Sequence, residues 1–120
     1  MKFTGPGVFE NENSDMRNLG YIEFGLDSIR KGIEYLKTSE RPTQGVLADI
    51  QIIIFLIEVL PHTISGRIKK SEVNEWQDFF NEWFERVESK IPEEYRSHIK
   101  FDSERLFDEL RKYGHNIDWL

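Results

Sequence analysis

Cysteine is absent from this 120-residue chain, which excludes disulfide frameworks, thiolate zinc sites, iron–sulfur ligation and cysteine nucleophiles. Stability has to come from packing. Histidine is scarce, with only His62, His98 and His115. Glu94 and His98 stand four residues apart and His115 and Asp118 three apart, but neither pair has a third ligand nearby and no H-E-x-x-H occurs, so no metal or cofactor is expected. No serine lies in a G-x-S-x-G or S-x-x-K setting. Gly5-Pro6-Gly7 has neither a preceding strand nor a following Lys-Ser/Thr, which removes the phosphate-loop reading. No arrangement supplies nucleophile, base and stabiliser together, so the expectation is not an enzyme. The longest apolar run, 43–60, is interrupted by Asp49, Gln51 and Glu58, too short and too polar to span a membrane. An excess of positive charge is also missing. The formal net charge is −6, which argues against nucleic acid and anionic membranes as partners. The opening residues carry no apolar stretch of the secretory type, so the expected location is cytoplasmic.

What is present is helical periodicity. Residues 1–15, rich in Gly, Asn and acids around Pro6, read as an irregular arm, 16–113 as a helical body and 114–120 as a tail of one domain spanning 1–120. Leu19, Ile22, Leu26, Ile29, Ile33 and Leu36 recur at three- and four-residue steps and define a helix over 16–38. A second row on it, Tyr21, Phe24, Gly25, Ser28, Gly32 and Tyr35, contains small residues suited to close approach of another backbone. The 43–60 run is apolar almost all round and reads as a central helix, buried on every side, with Ile53 and Phe55 both in the core. Ser71 is placed to cap a helix over 71–90 whose Val73, Trp76, Phe79, Phe80, Trp83, Phe84 and Val87 form one apolar face. Two short helices are expected near 92–99, opened by Pro92, Glu93 and Glu94, and near 103–113, capped by Asp102 or Ser103 and stopped by Gly114. The fold class is therefore all-α, a single-domain bundle of three main and two short helices packed around 43–60.

The charge is not spread evenly. Glu72, Glu75, Asp78, Glu82, Glu85, Glu88, Glu93 and Glu94 face only Arg86 and Lys90 within 71–94, while the segments on either side are neutral. A solvated helix usually mixes signs to gain i, i+4 pairs, and only Glu82 with Arg86 offers one in the better orientation. Glu72, Glu75, Asp78, Glu82, Glu85 and Glu88 are accordingly the candidate surface for a basic partner.

The segment Gly5-Pro6-Gly7-Val8-Phe9-Glu10-Asn11-Glu12 resembles the opening G-x-G-x-F-E/D-N-D of a family of small, mostly bacterial domains of unknown function. Gly5, Gly7, Phe9, Glu10 and Asn11 match. Thr4 stands where the family has Trp, and Ser14, Met16 and Gln51 also depart from its pattern. The resemblance implies an α-helical body with an apolar second helix, and a structural role for the motif, with Phe9 plugging the bundle and Asn11 holding a turn. By association with immunity genes beside toxins, it also implies an immunity-type protein. Together with the acidic run, the expected function is neutralisation of a cognate toxin, a nuclease first, by covering its basic active site. The alternative is a structural or adaptor module, a homo-oligomer included, that self-associates through the Tyr21/Phe24/Tyr35 row or through Trp76 and Trp83.

Overall fold

The apolar period that starts at Leu19 produces helix α1, Glu12–Leu36, which begins four residues ahead of the expected boundary and buries Ile22, Leu26, Ile29, Ile33 and Leu36. The computed structural model describes residues 12–42, 45–59 and 67–116, with side chains from residue 16 onward. The opening motif Gly5, Gly7, Phe9, Glu10 and Asn11 lies outside the described residues. α2 spans Val46–Val59, α3 Lys70–Val87 and α4 Glu93–Lys112, with a short 3-10 turn, Glu88–Lys90, between the last two. The architecture is all-α, and among the described residues there is no strand beyond a single bridge between Lys69 and His115.

The principal packing pairs are α1 with α2, α2 with α4, α4 with α3 and α3 with α1. The helices thus form a ring in which α2 and α3, consecutive in sequence, stand at diagonal corners. Cross-helix bonds fix the directions. Asn18 reaches the Leu56 carbonyl while Ser28 reaches Asp49, so α2 runs antiparallel to α1. Arg30 meets Glu72 and Arg86 donates to the Leu36 carbonyl, so α3 runs along α1. Phe80 packs on Phe107 with ring centroids 5.7 Å apart, and Arg111 donates to Asn74 at 2.8 Å, so α4 returns antiparallel to α3.

Two expectations about α2, its central position and its burial on every side, are corrected by this arrangement. α2 is a corner of the ring and not its centre. Val46, Ile50, Ile53, Ile54 and Ile57 are buried against the neighbours, whereas Ala48, Ile52, Phe55 and Val59 are exposed. The second row of α1 is likewise covered on one side only. A Cβ on Gly25 would lie 2.8 Å from Ile53 and one on Gly32 2.6 Å from Val46, so the small residues are where α2 approaches, while Tyr21, Phe24 and Tyr35 remain exposed.

The two short C-terminal helices are one continuous helix, because no Gly or Pro interrupts 93–112 and Ser103, buried mid-helix, donates to the Lys100 carbonyl at 2.8 Å instead of capping. Its start lies one residue later than expected, since Pro92 is the N-cap and not the first helical residue, while Glu93 and Glu94 do occupy the first turn, where the helix dipole favours negative charge. α3 opens at Lys70 and not after a Ser71 cap. The Lys70 amide donates to the His115 carbonyl at 2.9 Å, so the chain beyond α4 supplies a backbone cap. Gly114 permits that approach, since a Cβ there would sit 2.9 Å from the Lys70 side chain and 3.1 Å from its amide nitrogen.

Candidate protein-binding surfaces

Two outer surfaces stand out, and each follows from a helix having more of its periphery apolar, or acidic, than its neighbours use. The first is the outer side of α1 and α2. Phe24 is 75% exposed, Tyr21 63%, Phe55 58% and Ile52 55%, with Tyr35 and Val59 about half exposed. Between the two helices runs a groove of about 360 Å³ lined by Tyr21, Phe24, Gly25, Ser28, Asp49, Ile52, Ile53 and Leu56. Gly25 and Ser28 lie along its seam, where α2 comes so close that a Cβ on Gly25 would sit 2.8 Å from Ile53. Its one polar anchor is fixed, as the Ser28 hydroxyl donates to Asp49 Oδ2 at 2.7 Å. An apolar patch of this kind on a monomer usually marks an interaction site.

The second is the outer side of α3. At about 100° per residue, Glu75, Asp78, Glu82 and Glu85 fall within an arc of roughly 80°, opposite the buried Val73, Trp76, Phe80 and Trp83. All four are exposed, and among the described residues none is in an ion pair. The structure divides the six acids singled out by sequence. Glu72 is drawn into the α1/α3 seam, where Arg30 donates to it through Nε and Nη2 at 3.3 and 3.1 Å, and this pairing raises the pKa of the Arg30 guanidinium above its usual value. Glu88 lies past the end of α3 in the 3-10 turn, beside Lys100 and Ser103 of α4. The expected Glu82–Arg86 pair is not made. Arg86 turns away to the Leu36 and Ser39 carbonyls and lies 3.8 Å from Glu40, closing the loop after α1.

Trp76 and Trp83, weighed as self-association residues, are both buried. Trp83 packs on Phe80 and donates its indole N–H to the Arg41 carbonyl at 3.0 Å, so it serves the core and the same loop. The Tyr21/Phe24/Tyr35 row is on the surface and is joined there by a stripe the sequence reading missed, Ala48, Ile52, Phe55 and Val59. Their 4-3-4 spacing was visible but lost within a run apolar on every side.

A cleft of about 540 Å³ lies between the start of α3 and the end of α4 and is lined by Lys70, Arg105, Asp108, Glu109, Arg111 and Lys112. It is not a cationic pocket. Arg111 pairs with Asp108 at 2.7 Å, Lys112 with Glu109 at 2.9 Å and Arg105 with Asp102 at 3.8 Å. Among the described residues no group of three His, Asp or Glu side chains could hold a metal ion, and no helix is long and apolar enough to cross a membrane. Compared with known proteins, the chain matches no family model, no curated protein and no solved structure.

Proposed function

We propose that this chain acts by binding another protein, and that the outer face of α1 and α2 is the surface it uses. The observation that carries the reading is the exposure of Tyr21, Phe24, Ile52 and Phe55 around a preformed groove. Helix-in-groove and layer-on-layer contacts both use apolar anchors of this kind, with aromatic side chains at their centre. In this reading the protein is an adaptor that performs no chemistry, needs no cofactor, and works in the cytoplasm without nucleic acid or membrane.

The test is a photo-crosslinking amino acid placed at position 24 or 55 in cells of the native host, with position 95 as control. Tyr95 is also exposed but sits on α4, away from the groove. Discrete adducts from 24 and 55 and none from 95 are expected. Adducts from 95 alone, or from no position, would overturn the assignment.

A second reading is supported by the unpaired acids of α3 and by the resemblance of the opening motif. In it, Glu75, Asp78, Glu82 and Glu85, flanked by Glu72 and Glu88, cover the basic active site of a cognate toxin, a nuclease first. Electrostatic steering would then make association fast at low salt, up to about 10⁸ M⁻¹s⁻¹, and slower as ionic strength rises. Reversing those four acids to Lys should abolish protection of cells expressing the toxin while the fold survives. Unchanged protection would remove the acidic face from the account.

A further inference from the structure

We infer that the occupant of the α1/α2 face is a second copy of this chain, in a two-fold dimer that stacks one α1/α2 layer on the other. The inference rests on the reading of that face as a docking surface and commits it to one partner.

Spacing is the first argument. On α1 the outward positions are Tyr21, Phe24, Ser28, Lys31 and Tyr35, and on α2 they are Ala48, Ile52, Phe55 and Val59. Both follow the alternating three- and four-residue steps by which one helix presents a seam to another. Shape is the second. The face carries protruding rings, Phe24 and Phe55, beside a groove floored by Gly25 and Ser28. A two-fold axis through such a face sets the rings of each copy against the groove of the other, which is the self-complementarity an isologous interface needs.

Area and charge then separate a second copy from other partners. An aromatic side chain carries about 150–250 Å² of surface, so Tyr21, Phe24, Tyr35 and Phe55 leave roughly 500 Å² open, and Ile52 and Val59 bring the face to about 600 Å². Two copies would bury on the order of 1,200 Å² of apolar surface, the lower bound of stable interfaces, before any rim contact is added. Among the described side chains of α1 and α2, Glu23 is paired with Arg67, Asp27 with Arg30 and Glu34 with Lys37, which leaves Arg17 and Lys31 against Asp49 and Glu58. A protein of net charge −6 therefore meets its own copy here without a local like-charge clash, the remaining repulsion being screened by salt, whereas the acidic side of α3 would oppose it at contact. Because α3 and α4 form the other half of the ring, the acids of α3 stay open in the dimer.

Sedimentation velocity of the full chain from about 1 to about 100 µM tests this. The wild type should sediment as a dimer of the 14.3 kDa chain. Phe24→Glu and Phe55→Glu should each weaken the dimer by roughly 30-fold or more, the scale of an interface hot spot, with helical circular dichroism unchanged. Tyr95→Glu, on α4, should leave it intact. A wild type that is monomeric throughout, or Phe24 and Phe55 variants that remain dimeric, would overturn the proposal. Hydroxyl-radical labelling of a monomeric wild type would then decide the broader reading: labelled Tyr21, Phe24 and Phe55 leave the face open for a different protein, whereas protected rings mean the chain covers them itself and the face docks nothing.

Discussion

The outer sides of α1/α2 and of α3 are both turned to solvent, and they are made of opposite materials. Glu75, Asp78, Glu82 and Glu85 lose little by standing in water, and their only cost is mutual repulsion screened by salt. Tyr21, Phe24, Ile52 and Phe55 forgo more than half of a burial that is worth about 1.5–3 kcal/mol per large side chain when complete. The difference teaches that an acidic face needs no partner to be explained, whereas an apolar one does.

The sharpest way to break the contrast is within α2 itself. Ile53 is fully buried and Phe55, two residues on, is more than half exposed. Ile53→Asp places an unpaired charge in the core and should cost several kcal/mol, enough to unfold a domain stable by about 5–15 kcal/mol. Phe55→Asp should keep its fold and, at concentrations low enough for both chains to be monomeric, unfold within about 1 kcal/mol of wild type. Urea denaturation followed by circular dichroism reads both, and equal loss would mean that α2 is enclosed on all sides.

That pair also marks what the sequence could say. α3 was legible because its two faces differ in kind: Trp76, Phe80 and Trp83 alternate with Glu75, Asp78 and Glu82, so the pattern reports inside and outside at once. In α2 the inner Ile50, Ile53 and Ile57 and the outer Ile52, Phe55 and Val59 are chemically alike, so periodicity carried no sign and full burial was the wrong inference. Of the acids that the spacing puts on one exposed face, Glu75, Asp78, Glu82 and Glu85 are there, while Glu72 is held in the α1/α3 seam and Glu88 lies past the end of α3. Their partners were not legible, because the Arg30–Glu72 grip joins residues 42 apart and no local spacing reports it. The break expected before Ser103 failed for a related reason, since a capping residue type in the absence of Gly or Pro does not stop a helix whose Leu106, Phe107 and Leu110 are held by the core.

Next in size is the seam that shapes the groove. A methyl on Gly32 would meet Val46 Cγ2 at 2.6 Å, so Gly32→Ala should destabilise by about 1–2 kcal/mol, overpacking outweighing the helix propensity gained. Gly20 has nothing within 4 Å of such a methyl, and Gly20→Ala in the same helix should stabilise by about 0.5–1 kcal/mol. Thermal melts of the two variants moving in the same direction would contradict the close approach of α1 and α2.

The smallest effects sharpen the acidic side. Glu72→Gln removes the charge that Arg30 grips and should cost up to about 1 kcal/mol. Glu82→Gln relieves repulsion among unpaired neighbours and should stabilise by a few tenths of a kcal/mol, an increment that shrinks in high salt. Chemical denaturation at low and high ionic strength distinguishes them, and a Glu82 variant less stable than wild type would reveal a partner for that side chain.

In the proposed function, the α1/α2 face is covered when the protein is at work. Hydroxyl-radical footprinting of the chain in intact cells, compared with the purified chain at high dilution, tests it most directly. Labelling of Tyr21, Phe24 and Phe55 should fall severalfold in cells, while Tyr95 and Phe101, exposed on α4, keep the rates of the dilute chain. Equal labelling of all five rings in both settings would contradict the account.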